Sequence, residues 1–283
     1  MAKKILIPVD FSEHSYKAIE YACALNDAVY HELDLVHVFT DSNEIYKDSL
    51  TSADLIDPRV GSAKRDMQAI VSQLVETDSA LNVNVIFKDG NLYSEIKKLC
   101  SENQYDAIVM GTKGASGLDA LLSSSNMYDV LINTSVPVLA VPLHYKNTKM
   151  ENVGLLCNFK DGEIEVLKQA TNILGKDFGL TLIHVNTEDE DIRKIDQQFK
   201  EFIDRIIQTT EIDDISYIIK NQAFFIQYKE NVSQSIDSVI RDQQIDIVLV
   251  TKSKKSFFRK ITEENIVRKM ALQIPIPIFF AKR

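Results

Sequence analysis

The residues best placed to do chemistry lie in one stretch, from Gly111 to Asn126, where Gly111, Gly114 and Gly117 are followed by Ser123, Ser124 and Ser125. It comes directly after the apolar run Asp106–Met110, at the carboxyl end of an expected strand. Glycines there let backbone N–H groups approach an anion with no Cβ in the way, and serine hydroxyls near the positive end of a helix add donors. The chemistry this suits is phosphate binding. A surface loop needing positive φ accounts for the glycine spacing equally well, and neither GxGxxG nor GxxxxGK[ST] occurs. Asp10, after Ile7-Pro8-Val9 at a second strand end, is open to both a functional and a structural role. Val38 would be buried in any α/β fold. His37 and His184 recur at equivalent strand positions with no partner at metal-ligand spacing, so both read as structural. Cys23, Cys100 and Cys157 sit in apolar segments without CxxC or zinc spacing and read as small hydrophobes. No GxSxG elbow, HExxH or kinase set is present, so an enzyme is not expected.

The elements that must position these residues follow from apolar periodicity. Short apolar runs (KILIPV, LDLVHVF, VNVIF, DAIVM, VPVLAV) alternate with helical stretches at Ser12–Ala28, Arg59–Ser79, Tyr93–Ser101 and Asp119–Asn133. After the polar stretch Lys146–Lys149 the order begins again. Strands recur as VGLLC, LTLIHV, ISYII, DIVLV and PIFFA, and helices as Gly162–Lys176, Asp191–Gln208, Val232–Asp242 and Glu263–Gln273. From Asn91 onward the halves align without a gap at an offset of 140 residues, pairing Asn91 with Asn231, Asp106 with Asp246 and Pro137 with Pro277. This predicts an α/β protein of two tandem copies, residues 1–146 and 150–283, each a five-stranded parallel sheet with helices on both faces.

Bulk properties narrow the function classes. Of 283 residues, 45% are hydrophobic and 26% charged, as in ordinary globular proteins. A formal net charge of −9 argues against general nucleic-acid binding, which needs clustered Lys and Arg. The opening apolar run is too short for a signal peptide and no run reaches about 18 apolar residues, so no membrane contact and a cytoplasmic location are expected.

The run GTKGASGLDALLSSSNMYDVLINTSVPVLAVP resembles the C-terminal half of the universal stress protein family, whose nucleotide-binding members carry Gly-x2-Gly-x9-Gly-Ser/Thr. KILIPVDFSEHSYKAIEYA is similar to that family's first strand and helix, and LVHVF to its second strand. The resemblance implies a Rossmann-like, adenine nucleotide alpha hydrolase-like fold. It also implies that Asp10, Val38, Met110, Gly111, Gly114, Ser124, Ser125 and Asn126 hold ATP or another adenine nucleotide, with Mg2+ as a companion cation. Ser124 departs from the pattern by standing where glycine is usual. The resemblance further implies that the final strands of the two copies pair within the chain as a pseudo-dimer, leaving further homodimerisation open. Slow or absent hydrolysis is expected; the alternative is a nucleotide-independent, two-lobed interaction or scaffold protein.

The second copy lacks the cradle. Thr251, Lys254 and Glu264-Asn265 align with Gly111, Gly114 and Ser124-Ser125, and Asn158 matches Asp10, so nucleotide is expected in the first copy alone. Lys252, Lys254, Lys255, Arg259 and Lys260 read as a solvated basic loop. Thr40–Pro58, polar and without pattern, reads as a flap or an inert loop.

Overall fold

A computed structural model describes residues 3–26, 29–39, 58–112, 129–131, 133–186, 189–221, 232–252 and 274–282. The glycine-rich positions Gly114 and Gly117, the residues Ser123 to Asn126, the expected flap at 40–57, most of the helices expected at Asp119–Asn133 and Glu263–Gln273, and Lys254, Lys255, Arg259 and Lys260 lie outside the described residues.

The first half runs β1 (Lys3–Pro8), α1 (Glu13–Leu25), β2 (His31–Phe39), α2 (Pro58–Thr77), β3 (Asn82–Asp89), α3 (Leu92–Glu102), β4 (Ala107–Thr112) and β5 (Val138–Pro142). The second runs β6 (Asn152–Leu156), α4 (Asp161–Leu174), β7 (Gly179–Asn186), α5 (Ile192–Thr210), β8 (Ile215–Asn221), α6 (Val232–Asp242), β9 (Ile247–Lys252) and β10 (Ile278–Lys282). Helix starts follow capping chemistry. Ser12 precedes α1 and its side chain accepts the Ser15 N–H, while Asn91 accepts the Ser94 N–H at 3.1 Å ahead of α3.

All ten strands form one sheet in the order β3-β2-β1-β4-β5-β10-β9-β6-β7-β8. Read outward from the middle, each half has the same order and only parallel pairs. The joint is antiparallel, β5 against β10, with Leu139 opposite Phe279. Strand residues alternate between two cores, Ile5, Ile7 and Val109 on one face and Leu6, Ile108 and Met110 on the other. Burial on both faces explains why these strands read as continuous apolar runs. Phe279 and Phe280 seal the joint, one to each face, both fully buried.

Equivalent aspartates staple the strand starts. Asp106 accepts the Lys4 N–H at 2.8 Å, and Asp246 accepts the Asn152 N–H at 2.9 Å. Asp246 does more, because it also takes the Glu151 N–H and the Asn147 amide, while its backbone carbonyl receives the Tyr145 hydroxyl. The polar connection is thereby pinned against the second half.

Lys252 corrects the expectation of a solvated basic loop. It ends β9, is 6% exposed, and its Nζ donates to the carbonyls of Thr134 and Val136, both at 3.4 Å, in the first half. Lys282, its neighbour across the β9–β10 register, donates to the Asn133 carbonyl at 3.1 Å. Burial, with the Lys282 charge added, brings the Lys252 ammonium down to about 7.

Candidate functional site

A cleft of about 210 Å³ opens at the carboxyl ends of β1, β2 and β4. This is where an open parallel sheet places ligands, since the strand order reverses direction between β1 and β4. Asp10, Val38, Met110 and Gly111, four of the residues singled out from sequence, line it together. Gly114, Ser124, Ser125 and Asn126 lie outside the described residues, in a segment that follows Thr112 directly in the chain. Ser12, His14, Ser15, His37 and Leu92 also line the cleft. The sequence carried a signal for Ser12 as a helix cap and for His37 as a repeated position. Ser15 had none, since a serine in a helix's first turn is ordinary.

The loop joining β1 to α1 is built tightly. Asp10 Oδ1 accepts both the Ser12 N–H at 3.0 Å and the Ser12 hydroxyl at 2.5 Å. Desolvation would raise this carboxyl, but the Ser12 bonds, with Ser15 adding to them, hold it below the usual carboxylate range. Phe11 stands in the left-handed region at φ 62, which puts its ring 4.8 Å from that of His37. His37 Nδ1 donates to the Val9 carbonyl at 2.7 Å, tying β2 to the end of β1. This is a structural bond, as expected, although His37 also faces the cleft.

Gly111 has a packing reason to be glycine. A Cβ built there falls 1.9 Å from the His14 carbonyl oxygen, so the first turn of α1 lies directly on β4. The small residue brings helix and strand together at the cleft floor, which is a different service from cradling an anion, and one the spacing alone did not reveal.

The second half repeats the loop and changes its chemistry. Phe159 is also at φ 62, its ring 4.9 Å from His184, whose Nδ1 donates to the Cys157 carbonyl at 2.9 Å. Asn158 stands in place of Asp10 and Glu163 in place of Ser15. Glu163 is 2% exposed; its carboxylate accepts the Asn158 N–H at 2.9 Å and the Lys160 N–H at 3.0 Å. Burial pushes this carboxyl up to about 7, against the pull of the Lys160 and Asn158 N–H bonds. Among the described residues no cluster of three or more His, Cys, Asp or Glu side chains forms a metal site, and no helix is long and apolar enough to cross a membrane.

Residues 1–142 match the Universal stress protein family. Universal stress protein MJ0577 of Methanocaldococcus jannaschii is 30% identical over 157 residues, covering 50% of this chain and 95% of that protein. Universal stress protein YxiE of Bacillus subtilis is 27% identical over 148 residues, covering 50% of this chain and 99% of that one. A universal stress protein from Archaeoglobus fulgidus, known from its crystal structure, shares the fold over the full length: TM-score 0.72 at 24% identity, with 99% of this chain and 98% of that chain covered.

Proposed function

Because the chain belongs to the universal stress protein family, we propose that its first half binds an adenine nucleotide, ATP or a relative, as a signal rather than a substrate. The observation that carries this reading is the convergence of Asp10, Val38, Met110 and Gly111 on one cleft at the strand carboxyl ends. The exposed Asp10 carboxylate offers an acceptor for ligand hydroxyls, and Met110 gives the floor apolar surface for a flat base. Phosphates belong with Gly114, Ser124, Ser125 and Asn126, with Mg2+ as their counterion. Asp10 is a poor general base, since its Ser12 bonds hold the proton affinity low, which favours occupancy over turnover.

The test is calorimetric titration of the purified protein with ATP, together with ultraviolet absorbance and mass analysis of whatever small molecule is released on denaturation. One nucleotide per chain is expected, with loss of binding in Gly114→Asp, where a carboxylate would repel the phosphates. Absence of saturable binding to the nucleotide-free protein would remove the proposal, and two equivalent sites would remove its restriction to the first half.

A further inference from the structure

Besides the acidic residue that both loops carry in the helix's first turn, Glu13 and Asp161, each loop has one further carboxylate, and the two loops hold it in different places. In the first half it is Asp10, exposed at the strand end with its Oδ1 on the Ser12 N–H and hydroxyl, while the helix position is Ser15, 5% exposed, with its hydroxyl on the Ser12 carbonyl at 2.9 Å. In the second half the strand end carries the neutral amide of Asn158, and the helix position carries Glu163. The loop's frame is held constant although Ser12, Glu13 and His14 are also replaced, by Lys160, Asp161 and Gly162. The φ of Phe11 and Phe159, the ring contact with histidine and the histidine bond to the preceding carbonyl all repeat. The exchange is therefore not drift of the backbone.

A carboxylate at both positions would place two like charges in one tight turn, which is costly where water is excluded. The coordinated pair avoids this: charge outward with a small helix residue, or charge inward with a neutral strand end. The inward form also occupies space. Ser15 lines the cleft of the first half, and the longer Glu163 stands at the matching place with its carboxylate turned onto the loop's own N–H groups.

We infer that the position of this carboxylate is a specificity determinant: Glu163, paired with Asn158, seals the second half's loop with an internal acceptor, whereas Asp10, paired with Ser15, leaves the first half's loop open to a ligand's hydroxyl groups. The inference deepens the nucleotide reading and rests on it for the identity of the ligand. The sealing itself does not depend on that reading. The raised Glu163 pKa agrees with a carboxylate held away from solvent.

Two exchange variants of the full chain test it, Asp10→Asn with Ser15→Glu, and Asn158→Asp with Glu163→Ser. Amide hydrogen exchange at residues 10–12 and 158–160 reads the seal directly. The first variant is expected to protect residues 10–12, and the second to lose about tenfold or more of the protection at Asn158 and Lys160, the equivalent of one hydrogen bond to a charged group. In ATP titration the first variant is expected to bind at least about tenfold more weakly than the parent chain. If the second variant does not fold, Glu163→Gln replaces it: one acceptor oxygen is lost and an N–H donor turned toward the loop, so protection at Asn158 and Lys160 falls. Unchanged protection in a folded Glu163 variant overturns the inference, even where the parent chain binds ATP. A parent chain that binds no ATP defeats the nucleotide reading and leaves the exchange data to judge the seal.

Discussion

The halves of this chain share strand order, loop conformation and histidine placement, yet they part company at several side chains near the ends of the strands. At the β4 end Gly111 admits the backbone of α1, while its counterpart Thr251 carries a side chain whose hydroxyl is buried with no hydrogen-bond partner among the described residues. At the next register position Thr112 and Pro142 face one another, and in the second half Lys252 and Lys282 do. At the start of β2 stands His31, and Phe178 occupies the matching place before β7. Backbone geometry is preserved because strand pairing and the two-sided core allow no slip of register. Side-chain chemistry at the strand ends is under no such constraint, and there one copy has diverged from the other.

The largest expected break in this comparison is Gly111→Ala. With the new Cβ 1.9 Å from the His14 carbonyl, α1 must move off β4, at a cost of about 2–4 kcal/mol. Thr251→Ala should change stability by less than about 1 kcal/mol, since it removes a hydroxyl that bonds to nothing among the described residues. Urea unfolding of both variants checks the contrast, and equal losses would refute it. Next come the staples. Asp246→Ala strands two backbone N–H groups and the Asn147 amide, at about 2–4 kcal/mol, whereas Asp106→Ala strands the Lys4 N–H and a partly exposed contact with Lys3, at about 1–2 kcal/mol. Faster exchange of the amides at Glu151 and Asn152 in the first variant would locate the effect.

His31→Phe makes the first half resemble the second. His31 is fully buried and, among the described residues, neither ring nitrogen makes a well-formed hydrogen bond, so the substitution should stabilise the fold by about 1–2 kcal/mol near pH 7. Burial holds its pKa down to about 4, below the ordinary 6.5, so the folded state binds fewer protons than the unfolded state between those values. Stability therefore falls as pH drops from 6.5 toward 4, and His31→Phe should flatten that limb of the Tm–pH curve. The smallest effect runs the other way. The folded-state pKa of Glu163 is raised above 4.5 to about 7, so its contribution is fully present below 4.5 and fades as pH rises through 7. Glu163→Gln should remove this slope while leaving the His31 limb in place.

Much of this was legible in the chain. Apolar runs announced every strand, the partly exposed edge strands β3 and β8 included, and the helix starts at Ser12, Asn91 and Asp191 used ordinary capping residues. Helix ends shifted by a few residues, α1 stopping at Leu25 where Ala28 was expected, because a helix's last turn carries little sequence signal. Lys252 was misread since a lysine within a basic run normally stays in water; only the packing of β9 against the first half shows that its ammonium is covered. Glu163 was passed over because an acidic residue in a helix's first turn is commonplace and its burial depends on what surrounds it.

The sequence by itself determined the duplication, the parallel α/β architecture and the absence of a second glycine cradle, because periodicity and residue type are local properties that fold topology must obey. Tertiary structure alone decided which residues share the cleft, why Gly111 lacks room for a side chain, and that one loop turns its carboxylate outward while the other turns it in. Those facts depend on distances between segments far apart in the chain, such as the approach of His14 to β4 and of Lys252 to Thr134, and no local pattern encodes them.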